Sequence, residues 1–128
     1  MKTRAALIAA TLLLGLPGLA HAGQILSPPL WTGVNTAGAC YVRNTGGSAL
    51  TVQVTLFSNN SMTVDLNTCN SAPLDAGKTC VVLVSDLPDD SFVACSAVAG
   101  TLAKLRGTVE VRAIEAGGLR VIIAEDLR

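Results

Sequence analysis

A regular alternation of apolar and polar side chains limits the fold of this chain more than any other feature. It is clearest in residues 50–56, where every second side chain is apolar, and residues 105–113 repeat it. A period of two is typical of strands that bury one face and expose the other in an antiparallel sheet. Because no amphipathic helix pattern follows residue 22, the sequence predicts an all-β fold.

Eight segments have strand character, and turn-forming residues separate them. The segments are residues 23–35, 40–43, 50–56, 62–66, 79–84, 92–97, 105–113 and 119–124. The first is rich in Pro and Gly, so it suits an edge strand or an extended arm, and we expect its Trp31 to cap the core. Residues 79–84 contain a continuous apolar run, which indicates a central strand. Seven to eight short strands at this spacing predict a sandwich of two antiparallel sheets.

The first 22 residues have the three-part layout of a secretory signal peptide. Lys2 and Arg4 give a positive start, residues 5–14 are almost entirely apolar, and residues 20–22 form an Ala-x-Ala cleavage site. The layout predicts a signal helix that is cleaved after Ala22. A membrane anchor is the alternative, but the apolar stretch is shorter than the roughly 20 residues of a stable span. We therefore expect a periplasmic or extracellular protein whose single mature domain comprises residues 23–128.

Loss of the signal peptide changes the chemistry available to the chain. Seven basic and nine acidic residues remain, a net charge of about −2. Scattered arginines on a weakly acidic chain argue against nucleic acid or an anionic membrane as the partner. The only histidine, His21, leaves with the signal peptide. We therefore expect no Ser-His or Cys-His catalysis, no catalytic residue, no bound metal held by histidine and no cofactor, although Lys- or carboxylate-based chemistry stays open.

Four cysteines remain after residue 22, and their number indicates disulfides. They are Cys40, Cys69, Cys80 and Cys95. An even count in a short exported chain is typical of disulfide bonding, and four cysteines allow three connectivities. Cys69 and Cys80 flank a short loop that they can bridge, which would leave Cys40 to join Cys95. A four-cysteine zinc site is the alternative, although no Cys-x-x-Cys spacing supports it.

Part of the sequence resembles a known group of bacterial β-modules. Its motif is Asn44-Thr45-Gly46, a Leu-x-Val-x-Val strand at residues 50–54, Cys69, and Leu-x-x-Gly-x-x-Cys-x-Val at residues 74–82. Over roughly residues 40–84 the chain resembles immunoglobulin-like modules of the ASH and MSP type in exported bacterial proteins. From residue 105 onward it resembles small exported proteobacterial proteins. The resemblance implies an immunoglobulin-like antiparallel β-sandwich with a structural or binding role and no shared catalytic residues. Residues 85–88 depart from the motif, because an aromatic residue often found before the proline is missing.

Three aspartates cluster between two predicted strands. Asp86, Asp89 and Asp90 offer oxygen ligands, which makes this turn a candidate Ca²⁺ site. The alternative is a solvated turn shaped by Pro88, in which the carboxylates accept backbone hydrogen bonds. The spacing lacks the Asp-x-Asp-x-Asp-Gly pattern of calcium loops.

Four arginines fall on the polar phase of their predicted strands: Arg43, Arg106, Arg112 and Arg120. If the last two strands are neighbours, Arg106, Arg112 and Arg120 line up on one sheet face with Glu110. Such a row forms either a binding face for an acidic partner or a set of cross-strand ion pairs, each worth about 0.2–1 kcal/mol.

The sequence supports two functional hypotheses. The first is an exported, non-enzymatic module that binds another envelope or surface protein or takes part in an assembly, and it predicts an exposed sheet edge or apolar patch. The second is a small secreted enzyme or enzyme inhibitor. An enzyme needs a concave pocket with converging polar groups, so the absence of histidine after residue 22 favours the first hypothesis.

Overall fold

The computed structural model describes residues 23–128, which contain nine β-strands and no helix. The strands are β1 (Gly23–Leu26), β2 (Leu30–Trp31), β3 (Thr36–Asn44), β4 (Val52–Ser58), β5 (Leu66–Asn67), β6 (Thr79–Leu87), β7 (Phe92–Ala99), β8 (Leu105–Glu115) and β9 (Gly118–Asp126). The predicted all-β class is confirmed. The predicted signal helix of residues 1–22 lies outside the described residues.

The strands form two antiparallel sheets of unequal width. In the smaller sheet β7 is central: β4 pairs along one side of it, and β1 and β2 follow one another along the other. The larger sheet has the order β5-β6-β3-β8-β9, so β3 lies at its centre. This arrangement is consistent with the predicted β-sandwich. Within residues 23–128 there is no helix long and apolar enough to cross a membrane.

The core lies between the sheets and is built from every second residue of the strands. In β4, for example, Val52, Val54 and Leu56 are buried while Gln53 and Thr55 are exposed, as the alternation predicts. The largest fully buried apolar side chains are valines: Val42, Val54, Val82, Val84, Val93, Val109 and Val111. β-branched side chains suit a pleated sheet, and each buried valine contributes roughly 1.5 kcal/mol or more to stability.

Two disulfides reinforce this valine core. Cys40 of β3 is bonded to Cys95 of β7, so this bridge joins the two sheets across Cα atoms that are 5.9 Å apart. Cys69, which follows β5, is bonded to Cys80 of β6. This is the pairing that the short loop between Cys69 and Cys80 favours, and no cysteine of residues 23–128 is free. Disulfides are typical of exported proteins.

The prediction of a strand over residues 62–66 is wrong for all of that segment except Leu66. Only Leu66 and Asn67 pair with β6. The side chain of Asp65 accepts a hydrogen bond from the backbone N–H of Ser85, so a carboxylate replaces a backbone acceptor just before β5. Val64 and Leu66 remain exposed rather than entering the core. The strand number is nine rather than the predicted seven to eight, because the first predicted segment, residues 23–35, contains both β1 and β2.

β6 is longer than the sequence predicts, because a β-bulge carries it to Leu87. The register between β3 and β6 shifts after Thr36, where Ser85 and Asp86 lie opposite the single residue Ala37. Asp86 has a φ of 52°, in the left-handed region that aspartate tolerates better than most residues. An aspartate expected in the turn after the strand therefore belongs to the strand itself.

Candidate functional site

The most unusual surface of the described chain is β9, the last strand of the larger sheet. All nine of its residues are exposed, although four of them are large and apolar. These four are Leu119, Val121, Ile122 and Ile123. A long apolar edge strand presents unpaired backbone N–H and C=O groups together with side chains that gain from burial. β9 is therefore a candidate docking surface.

A tight hairpin positions β9 against β8. Glu115 pairs with Gly118 at the turn, and Gly118 has a φ of 125°, which favours glycine over any residue with a side chain. On its far side β8 pairs with the central strand β3 from Leu105 to Ala113. The backbone edge of β9 that faces away from β8 has no neighbouring strand within the described residues.

A bulge at Ile122 gives β9 an apolar character on both faces. Val111 lies opposite Ile123 and Arg112 lies opposite Val121, so Ile122 is an extra residue in the ladder. Ile123 consequently shares the inner face with buried Val111, while Val121 shares the outer face with Arg112. Ile123 is nevertheless 41% exposed, because the narrower sheet does not cover it.

The other sheet edges are closed or short, which sets β9 apart. At the β1 edge, Leu26 and Arg128 exchange two backbone hydrogen bonds of 3.0 and 2.9 Å. At the β4 edge, the side-chain amide of Asn70 donates to the carbonyl oxygen of Val54 and accepts from its N–H. β5, the opposite edge of the larger sheet, has only two residues.

The arginine row predicted from the sequence divides into two kinds of residue. Arg112 donates from Nε to Glu110 over 2.8 Å and lies 5.2 Å from the centre of the Tyr41 ring. Arg120 forms a 2.7 Å ion pair with Glu115 at the hairpin turn. Both arginines therefore form ion pairs, but only Arg120–Glu115 joins two strands. The predicted cross-strand pairing is wrong for Arg112, because Glu110 belongs to the same strand.

Arg43 and Arg106 do not follow that interpretation. They lie directly opposite each other on β3 and β8, and within residues 23–128 neither forms a salt bridge. They line a groove of about 440 Å³ on the outer face of the larger sheet, together with Arg128. Like charges in directly opposed sheet positions are destabilising, so this arrangement is not explained by stability.

The aromatic residues lie outside the core, contrary to the role expected for Trp31. Trp31 is 68% exposed and meets Phe92 edge to face, with 6.0 Å between the ring centres. Its strand neighbour Leu30 faces inward and is buried, which directs Trp31 to the outer face of the smaller sheet. The expectation that Trp31 caps the core is wrong.

The candidate Ca²⁺ ligands lie at the other end of the larger sheet from the arginine groove. Asp86 belongs to the bulge of β6, and Asp89 and Asp90 follow Pro88 in the turn before β7. Among residues 23–128, no group of three or more carboxylate, cysteine or histidine side chains is placed to hold a metal ion.

Comparison with known proteins does not assign this chain to a group. No family model matches it, and neither the curated proteins nor the solved structures yield a match. The candidate site therefore rests on its own geometry.

The sequence predicts the hairpin of β8 and β9 but not the exposure of its last strand. The signal for that exposure is the run Val121-Ile122-Ile123, which breaks the alternation of apolar and polar residues.

Proposed function

We propose that this chain is an exported, non-catalytic β-domain of immunoglobulin-like type that acts as a structural or binding module of the cell envelope. The three-part layout of residues 1–22 and the two disulfides support export. The bridge between the sheets, Cys40–Cys95, supports the immunoglobulin-like type, as does the motif that begins at Asn44.

The proposed non-catalytic role is supported by the chemistry of the groove beside Arg43. Its polar side chains are three arginines, two threonines, Tyr41 and Asp126. A guanidinium stays protonated and cannot act as a general base. The carboxylate of Asp126 accepts a hydrogen bond from Thr108 over 3.3 Å and has no histidine or lysine beside it to activate a hydroxyl.

The exposed apolar edge of β9 is the observation that carries the binding role. Strand addition at an open edge supplies backbone hydrogen bonds, and apolar side chains on both faces add buried area. At about 3.3 Å per residue, β9 offers an edge of roughly 30 Å. A surface of this kind is either covered by a partner or prone to aggregate.

Charge complementarity supports a second copy of the chain as the occupant. β9 carries Arg120 near its start and Glu125 and Asp126 at its end, with apolar residues between them. An antiparallel second copy brings Arg120 of each strand toward the acidic end of the other. The existing Arg120–Glu115 pair is exposed at the surface, so exchanging it costs little. The resulting dimer has one continuous sheet across both copies.

Sedimentation velocity of the purified protein tests this function. We expect the wild type to be dimeric at about 100 µM, and Ile122→Lys to be monomeric because a lysine on an edge strand blocks edge pairing. Val64→Lys is the matched control, since Val64 is 45% exposed but lies away from β9, and we expect it to dimerise normally. A monomeric wild type, or an Ile122→Lys variant that still dimerises, contradicts a second copy at β9. A wild type that binds only a different envelope protein along β9 also contradicts it.

A further inference from the structure

We propose that the groove lined by Arg43, Arg106 and Arg128 is a binding site for a dianionic phosphate group. This site shares only Asp126 with β9, and the proposal does not depend on the proposed function. Charge is unequally distributed over residues 23–128, which carry a net charge of about −2. All salt bridges of residues 23–128 involve Arg112 or Arg120, and the five remaining basic residues lie elsewhere.

These five residues gather at one end of the larger sheet. Arg43 lies opposite Arg106. Lys78 lies in the same corner, because the backbone N–H of Asn44, the residue after Arg43, donates to the carbonyl oxygen of Lys78. The neighbouring Thr45 N–H donates to the carbonyl of Lys104. Arg128 completes the set as part of the groove lining. A cluster of unpaired cations attracts anions and raises their local concentration.

The fold holds the backbone of the three groove arginines in place. Arg43 and Arg106 lie in the continuous ladder between β3 and β8. The backbone of Arg128 is fixed by its two hydrogen bonds to Leu26. Arg106 also donates from one terminal nitrogen to the carbonyl oxygen of Leu105, which restrains its guanidinium while leaving its other N–H groups available. Placement of this kind lowers the entropic cost of binding a ligand.

The side chains of the groove favour an anion with several acceptor oxygens. Three guanidiniums and one side-chain carboxylate, that of Asp126, line it. A phosphate monoester or hydrogen phosphate carries close to two negative charges at neutral pH. Guanidinium N–H groups match the spacing of phosphate oxygens in a bidentate manner, and the hydroxyls of Thr79 and Thr108 in the same lining add donors. A phosphate monoester offers three acceptor oxygens to these donors, whereas a carboxylate offers two.

Binding of such an anion would explain why two arginines are opposed on neighbouring strands. The repulsion between Arg43 and Arg106 destabilises the free protein and is relieved when a dianion lies between them. The phosphate can be a free ion or a monoester on a larger envelope molecule, since both present the same group to the arginines.

Isothermal titration calorimetry at constant ionic strength tests the site. We expect saturable binding of inorganic phosphate to the wild type, with affinity reduced about tenfold or more in Arg43→Gln and in Arg106→Gln. Arg120→Gln is the control, because it removes an arginine that already has a carboxylate partner, and it should bind as the wild type does. Arg43 and Arg106 are both exposed, so the glutamine variants should retain their fold. Unchanged melting temperatures without phosphate would verify this.

Two further titrations identify the source of the phosphate. Glycerol 3-phosphate represents a monoester, and phosphatidic acid vesicles, compared with phosphatidylcholine vesicles, represent a lipid headgroup. Tighter binding of either probe than of the free ion, lost in Arg43→Gln, assigns the site to an attached phosphate; equal binding assigns it to the ion. The proposal is overturned if the wild type binds no phosphate probe at about 10 mM, if acetate competes as well as phosphate does, or if the arginine variants bind as the wild type does.

Discussion

The side chain of Asn70 closes the edge of β4 by exchanging two hydrogen bonds with the backbone of Val54. The N–H of Val54 donates to Oδ1 over 2.8 Å, and Nδ2 donates to the carbonyl oxygen of Val54 over 3.1 Å. The amide thus takes the place of a neighbouring strand at this point. Because the fold closes one edge with a dedicated side chain, the open edge of β9 is a distinct feature rather than the general state of this molecule.

Replacing Asn70 with alanine should open the β4 edge. We expect Asn70→Ala to lower the free energy of unfolding by about 1–2 kcal/mol, since two hydrogen bonds are lost at a partly buried position. Urea denaturation measures this, and light scattering should show more aggregation than in the wild type. Gln53→Ala is the control because Gln53 lies exposed on the same strand. Equal stability of the two variants would mean that Asn70 does not protect the edge.

Asn44 illustrates a second role that an amide side chain fills, this time inside the molecule. Asn44 is fully buried, and its Nδ2 donates to the carbonyl oxygens of Ser48 and Leu74 over 2.7 and 2.9 Å. Its Oδ1 accepts from the N–H of Gly46 over 2.8 Å. Nδ2 thus donates twice and Oδ1 accepts once, so the side chain ties the end of β3 to two separate loops.

Loss of the Asn44 side chain should be among the most damaging single changes outside the valine core. We expect Asn44→Ala to cost about 3 kcal/mol, because it removes three hydrogen bonds of a fully buried side chain. The neighbouring Thr45→Ala should cost under about 1 kcal/mol, since Thr45 makes one exposed hydrogen bond to Lys104. Thermal and urea unfolding of both variants gives the comparison. Similar losses for the two would show that the amide network does not matter.

The comparison of sequence and structure shows which features local pattern can predict. Alternation places Val52, Val54 and Leu56 on the inner face of β4 correctly, because one face of that strand packs against a core. The same alternation fails at residues 62–66, where a single Asp65 side chain competes with backbone pairing. Periodicity records burial, and it does not record whether a neighbouring strand is available.

The site is less predictable than the fold because it depends on what lies beside each strand. The sequence places Arg43, Arg106, Arg112 and Arg120 on polar phases, yet only the register between β3 and β8 determines that Arg43 meets Arg106. Arg112, by contrast, pairs with Glu110 of its own strand. The exposure of Ile123 likewise depends on the smaller sheet being narrower than the larger. Strand order and sheet width are long-range properties that a local pattern does not contain.

The two disulfides should differ in how much they stabilise the fold. The Cys40–Cys95 bridge spans a sequence separation of 55 and Cys69–Cys80 one of 11. Chain entropy then predicts contributions of about 4 and about 3 kcal/mol, respectively. We expect Cys40→Ala with Cys95→Ala to lower the melting temperature more than Cys69→Ala with Cys80→Ala does. The reverse order would indicate that the loop closed by Cys69 anchors the sheet by other means.

Trp31 provides an intrinsic probe of its own exposure, because it is the only tryptophan in the chain. We expect red-shifted fluorescence that iodide quenches readily in the native protein, since the ring is 68% exposed. Trp31→Ala should cost about 1 kcal/mol or less, whereas Val93→Ala, at a fully buried position, should cost about 2 kcal/mol. Blue-shifted emission that is protected from iodide would contradict the exposed position of the ring.

Cleavage of the proposed signal peptide should depend on the small residue at position 22. Cleavage after an Ala-x-Ala site requires small side chains at its first and third positions, so Ala22→Arg should leave an unprocessed precursor. His21→Gln is the matched control, because position 21 is the variable residue of the site, and we expect it to be processed normally. Intact mass measurement and N-terminal sequencing of the exported protein should give Gly23 as the first residue for the wild type and His21→Gln. A wild-type protein that retains residues 1–22 would show that this segment is a membrane anchor instead.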